Sequence, residues 1–218
     1  VVAHVLFTMQ IYCDFMGYST IAIGAARVLG FRLMENFHNP FFATSIKDVW
    51  QRWHISLGSW FRDYVYIPLG GSRKGVVRKH LNIIVVFFLS GLWHGASFTY
   101  VIWGLLHGIY QVLEDVLEPL GKKIIEKFKI RTDVFSWRFF KILWTFFLFE
   151  VAVVFFRAET VSDAWLILKQ TVKMGNFGIV MNGGLYELGL DERNMILLLI
   201  ALVVLFVSSL LKEMKVDM

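Results

Sequence analysis

His94 lies in Trp93-His94-Gly95, near the middle of a 33-residue run, Leu81 to Leu113, that holds no Asp, Glu, Lys or Arg. An imidazole exchanges protons near neutral pH. Inside a bilayer a titratable residue is a functional hypothesis by default, because desolvation makes it expensive to keep. Proton abstraction or proton relay is the chemistry such a residue offers. A core histidine bonded to a backbone carbonyl is the plain alternative.

His54 is the second candidate. Around it apolar residues recur at Ile46, Val49, Trp50, Trp53, Leu57, Trp60, Phe61 and Tyr64. Spacings of three and four put these on one helical face, so Thr44–Tyr66 is predicted to form an interfacial helix, its body spanning 45–66. Ser45 followed by Asp48 resembles a capping box. Tryptophans mixed with arginines suit the headgroup level of a membrane. Pro68-Leu69-Gly70-Gly71 then stops the helix, since proline cannot donate into it and glycine permits the turn. His54 reads equally as a histidine bonded at the interface.

Other polar residues carry weaker signals. Tyr12, Asp14, Gly17 and Tyr18 form a polar island in the first apolar segment, and Asp14 and Tyr18 stand one turn apart, within hydrogen-bond reach. An ionised Asp at mid-depth costs about 2.5–3.5 kcal/mol, so Asp14 is expected to pair, to be protonated or to line an aqueous path. His107, beside Gly104 and Gly108, is expected at a helix contact made through small residues. His4, His38 and His80 get a surface reading. No pair of ligands has His-Glu-x-x-His spacing, so no metal site is expected. Arg73, Lys74 and Arg78 belong to a basic run ending at His80, which reads as an anchor against anionic lipid or as a lure for donor phosphates. With apolar sequence on both sides it is a poor nucleic-acid patch.

These residues must be positioned by membrane helices. The chain is 57% hydrophobic and 18% charged, with a mean hydropathy of +0.60, whereas soluble domains carry about 25% charged residues. Cys13 is alone, so no disulfide framework exists. The fold class is all-α, a polytopic integral membrane protein. Spans of roughly 20 residues are expected at Val1 to about Leu29, within Leu81–Leu113, at Trp137–Phe156 and at Met195–Leu211. The loop Phe31–His80 holds eight Lys/Arg against three acids, and Glu114–Lys141 holds seven. The positive-inside rule places both on the cytoplasmic side. Leu81–Leu113 is therefore expected to enter and leave by one face, as a hairpin of two half-helices broken at Gly91, Gly95 and Ala96, with His94 at its tip. Residues 157–194, with four Lys/Arg and five acids, form the expected outer loop, and Lys212–Met218 the inner tail. The chain opens on Val1-Val2-Ala3, apolar from the first residue, and the expectation is a C-terminal portion that lacks upstream spans.

Asp48-Val49-Trp50-Gln51-Arg52-Trp53-His54-Ile55-Ser56-Leu57, running on through Trp60-Phe61-Arg62-Asp63-Tyr64 to Pro68-Leu69-Gly70-Gly71-Ser72-Arg73, resembles the signature of the membrane-bound O-acyltransferase (MBOAT) family. Leu89-Ser90-Gly91-Leu92-Trp93-His94-Gly95-Ala96 is similar to its second histidine motif, and Tyr12–Ser19 and Val154–Ala158 also fit its bacterial branch. The resemblance implies one domain over 1–218, part of a ring of tilted helices around a tunnel, with interfacial and re-entrant elements, in a bacterial inner membrane. It implies His94 as the catalytic histidine and His54 as the second family histidine. It implies acetyl-CoA as donor, and as acceptor a cell-surface polysaccharide, alginate-like, reached directly or through an extracytoplasmic partner protein. The Pro-Leu-Gly-Gly-Ser-Arg stretch favours the alginate type over transfer of D-alanine to teichoic acid from a carrier protein. Relatives are about twice this length, so a full tunnel is not expected of this portion alone. A proton-relay transporter and a non-enzymatic membrane subunit are the other classes that the same buried residues allow.

Overall fold

A computed structural model describes residues 2–173, 183, 184, 186, 189 and 191–214. The chain forms two compact units, residues 1–166 and 167–218. In the first, the helices are α1 (Val2–Val28), α2 (Ile46–Arg52), α3 (Ile55–Phe61), α4 (Val76–His94), α5 (Phe98–Lys127) and α6 (Phe135–Arg157), with α7 (Val161–Val172) running across the boundary. The second contains α8 (Glu192–Glu213), N-capped by Asp191, whose carboxylate accepts from the Asn194 N–H at 2.8 Å. Among the described residues, α4, α6 and α8 are long and apolar enough to cross a membrane. Helix α1, expected as a span, is 27 residues long but is not among them; its polar island lowers its hydropathy. Much of the expected outer loop 157–194, and 215–218 of the expected inner tail, lie outside the described residues.

The charge-free run folds as the core of a hairpin, broken at Gly95-Ala96-Ser97, whereas Gly91, expected in the break, lies inside α4. Ser97 caps α5 by accepting the Thr99 N–H at 3.3 Å. The two arms are longer than the half-helices expected, at 19 and 30 residues. They extend past both ends of the charge-free run because their charged ends pair across the hairpin: Lys79 Nζ and His80 Nε2 reach the Asp115 carboxylate at 2.6 and 2.7 Å. Further up, a Cβ added to Gly91 would meet the Tyr100 carbonyl, one added to Gly104 the Phe87 carbonyl, and one added to Gly108 the Phe87 Cβ at 3.1 Å. The register is antiparallel throughout. Missing side chains let the two backbones touch, as small residues do in membrane helix pairs.

The helix predicted over 45–66 is interrupted. Ser45 does cap its start, accepting the Asp48 N–H at 3.0 Å, and the Arg52–Asp48 ion pair (2.7 Å) stiffens it. At Trp53 and His54 the backbone turns extended and then left-handed, with φ +49° at His54. The segment 36–39 takes the hydrogen bonds that a continuous helix would make internally. The His38 N–H donates to the Arg52 carbonyl (2.9 Å), the Ile55 N–H to the Asn36 carbonyl (3.1 Å), and Asn36 Oδ1 accepts from both the N–H and the hydroxyl of Ser56. Helix α3 therefore starts on a new axis and ends in a π-helical turn, Arg62–Tyr66. The predicted single apolar face holds for Ile46, Val49 and Trp53, which are buried, and fails for Trp60 and Tyr64, which are exposed.

Candidate functional site

His94 is the last residue of α4, where the chain leaves the hairpin arm for the Gly95 turn. Its half-buried ring meets Trp93 and Trp103 edge-on at 4.9 Å between centroids, and Phe156 of α6 at 5.1 Å. Aromatic edges fix the plane of the imidazole without supplying a hydrogen-bond partner.

His54 comes to the same place from a different element. The break between α2 and α3 turns its ring towards Phe15 of α1 (4.5 Å) and Trp93 (6.1 Å). Trp93 is in contact with both histidines, yet 59% of its own surface is exposed. Among the described residues His54 Nδ1, shielded from solvent, has no hydrogen-bond partner. Burial, and after it the like charge of a protonated His94, pushes the His54 imidazole down to about 4, against a smaller upward pull from its own backbone. Burial thus favours the uncharged ring at neutral pH. A non-glycine residue in the left-handed region is uncommon and concentrates at functional sites.

Other sequence candidates are placed elsewhere. Arg73, Lys74 and Arg78 lie at the opposite end of α4 from His94, Arg78 about 24 Å along the axis at 1.5 Å per residue; Arg78 Nε donates to the Leu69 carbonyl at 3.3 Å. Asp14 and Tyr18 are exposed and make no hydrogen bond to each other; Tyr18 stacks on Phe15 instead, at 4.9 Å. His38 is exposed and His4 half-buried, but His80 departs from its surface reading, being half-buried against Asp115. His107 is fully buried, boxed by Trp50 (5.1 Å), Trp103 (5.2 Å) and Phe149 (5.6 Å). Among the described residues no three of His, Cys, Asp and Glu come together as metal ligands.

Two acids escaped the sequence reading. Glu150 stands alone in the apolar span of α6, its carboxylate oxygens shielded and facing the buried Thr8 hydroxyl. The argument applied to His94, a titratable group inside a span, would have singled it out. Glu114 caps α2 from α5, and no local pattern announces a partner 68 residues away.

Comparison with known proteins bears on this geometry. The pattern of the MBOAT, membrane-bound O-acyltransferase family matches residues 1–156, which include both histidines. A Pseudomonas putida protein named "Probable alginate O-acetylase" is 46% identical over 158 residues, 72% of this chain and 30% of the relative. A peptidoglycan O-acetyltransferase of Helicobacter pylori is 38% identical over 173 residues, covering 79% of this chain and 31% of the relative. A teichoic acid D-alanyltransferase of Bacillus subtilis is 35% identical over 124 residues, or 54% of this chain and 31% of the relative. The chain spans about a third of the length of the relatives it matches. With that match and those relatives, this all-helical chain belongs to the membrane-bound O-acyltransferase family.

Proposed function

We propose that the chain carries the histidine centre of a multi-pass inner-membrane O-acyltransferase. In this reading the enzyme moves an acetyl group from acetyl-CoA to hydroxyls of a cell-surface polysaccharide, directly or through an extracytoplasmic partner protein. The observation that carries the reading is the convergence of His54 and His94 on Trp93 from separate elements. The names of the relatives, acting on alginate and peptidoglycan, support the substrate class.

Acyl transfer from a thioester needs a base for the hydroxyl proton and a stabiliser for the developing oxyanion. The acceptor oxygen attacks the thioester carbonyl, the new C–O bond forms, and the C–S bond breaks. His94 takes the hydroxyl proton and returns it to the leaving thiolate. His54 orients the reacting groups at the Trp93 side. The charged base of the hairpin, at Lys79 and Asp115, faces the cytoplasm in this topology, and His94 stands about 22 Å along α4 from Lys79. Most of a hydrocarbon core of about 30 Å then separates the histidines from the donor's side. The basic residues Arg73, Lys74 and Arg78 attract the soluble donor, and the acceptor reaches the histidines from the far face.

The test is His94→Ala in the complete enzyme in proteoliposomes, with labelled acetyl-CoA and matched protein levels. A loss of about 100- to 10,000-fold is expected for removal of such a base; unchanged turnover ends the assignment. The Bacillus subtilis relative favours one second reading, D-alanyl transfer from a carrier-protein thioester. Exchanging donors in the same assay separates the two.

A further inference from the structure

A second constellation has its own lining, with Arg52, two residues before His54, at one edge of it. The first two turns of α6 carry Trp137, Arg138 and Lys141, and together with Thr132, Phe42, Thr44, Asp48 and Arg52 they wall an open cavity of about 360 Å³. Its lining has three cations and one carboxylate. That carboxylate is already engaged on both oxygens: Asp48 Oδ1 accepts from Arg52 Nε at 2.7 Å and Oδ2 from the Thr44 N–H at 3.0 Å. Lys141 makes no ion pair among the described residues; it acts electrostatically on Glu114, whose carboxylate is held by the α2 backbone. The cavity therefore presents net positive charge, with hydroxyl donors on Thr132 and Thr44.

Its position narrows the ligand. Helix α6 is one of the helices long and apolar enough to cross a membrane. Its first turns follow a charged connection containing Lys129, Arg131 and Asp133. Trp137 stands where the charged segment meets the apolar span, the level at which tryptophan rings settle at headgroups. Basic pockets between membrane helices at that level suit phosphate headgroups.

We propose that this cavity binds the phosphate of an anionic phospholipid headgroup, held by Arg138 and Lys141 with Arg52 behind them. The proposal does not depend on the histidine chemistry, because its readout is binding.

The test uses the full chain in nanodiscs of phosphatidylcholine doped with phosphatidylglycerol, with retained lipid counted by native mass spectrometry. Each basic residue near a membrane surface contributes about a fivefold factor in binding, so Arg138→Gln with Lys141→Gln is expected to lower phosphatidylglycerol retention about 25-fold. Arg138→Lys with Lys141→Arg keeps the charge and is expected to keep the lipid. Lys123→Gln with Lys127→Gln, removing two exposed cations of α5, is expected to leave retention unchanged. Equal loss in that control, or no loss in the first pair, overturns the proposal. A competition arm adds adenosine 3′,5′-bisphosphate to the wild-type nanodiscs. Failure to displace the lipid supports a headgroup site, whereas displacement by the soluble ester reassigns the pocket to soluble phosphates and overturns the lipid assignment.

Discussion

The Glu114 carboxylate, just past the middle of α5, caps helix α2 across the fold: Oε1 accepts the Ile46 N–H at 2.7 Å and Oε2 the Lys47 N–H at 3.2 Å. The first N–H groups of a helix have no partner inside it. Here a tertiary contact supplies one and fixes the helix that leads to His54. Burial pushes this carboxyl above its ordinary range, against the downward pull of the two N–H donors. Glu114→Ala orphans both donors and is expected to lower stability by about 1–2 kcal/mol. Glu114→Gln, which keeps one oxygen acceptor, is expected to lose less. Thermal denaturation in detergent checks the order; equal Tm values for wild type and Glu114→Ala would remove the cap from the account.

His54 is held at about 4, below its ordinary 6.5, chiefly by burial. The sign follows directly. Between those values the unfolded chain takes up a proton that the folded one refuses, so stability falls as pH drops from 6.5 towards 4 and this contribution is complete above 6.5. Selective labelling of the His54 ring should show a titration near pH 4 by NMR, moving upward in His94→Ala because the neighbouring charge is gone. A midpoint near 6.5 in the folded protein would contradict the burial seen here.

The hairpin arms predict opposite outcomes for the same substitution. A Cβ on Gly104 runs into the Phe87 carbonyl, and one on Gly91 into the Tyr100 carbonyl, both backbone atoms that cannot swing away. Gly91→Ala or Gly104→Ala should destabilise by about 1–3 kcal/mol. Gly121, inside α5 with nothing within 4 Å of its built Cβ, should gain about 0.5–1 kcal/mol as alanine. Tm measured for the three variants in one detergent settles this, and a Gly104→Ala protein as stable as wild type would show that the arms pack otherwise.

At the base of the hairpin, hydrogen bonds from Lys79 and then His80 hold the Asp115 carboxyl below its ordinary range. A depressed acid contributes stability above its unfolded value of about 3.9, lost as pH falls through the folded value. Acidification below pH 4 should therefore loosen the base, seen as faster amide exchange around 79–82 and 113–116. In Asp115→Asn that exchange should already be fast at pH 7 and should change little on acidification. Protection that is the same in both proteins across the range would show that the clamp does not hold the arms together.

By itself the sequence determined the helical class, the apolar spans of α6 and α8, a break at Gly95-Ala96 and the Ser45 cap. These follow from composition, period and turn chemistry, which act over a few residues and can be read along the chain. It also marked His94 through its place in a charge-free run, and His54 together with His94 through motif. Tertiary structure alone decided that helix 45–66 breaks at His54, because the residues that take its backbone bonds, Asn36 and His38, sit sixteen or more positions earlier. It decided too that the His54 ring reaches Trp93, that Glu114 caps α2, and that Lys79 and His80 meet Asp115. Each of these joins groups far apart in the chain, and the last depends on the antiparallel register of α4 and α5, where Gly91 and Gly104 let the two backbones approach.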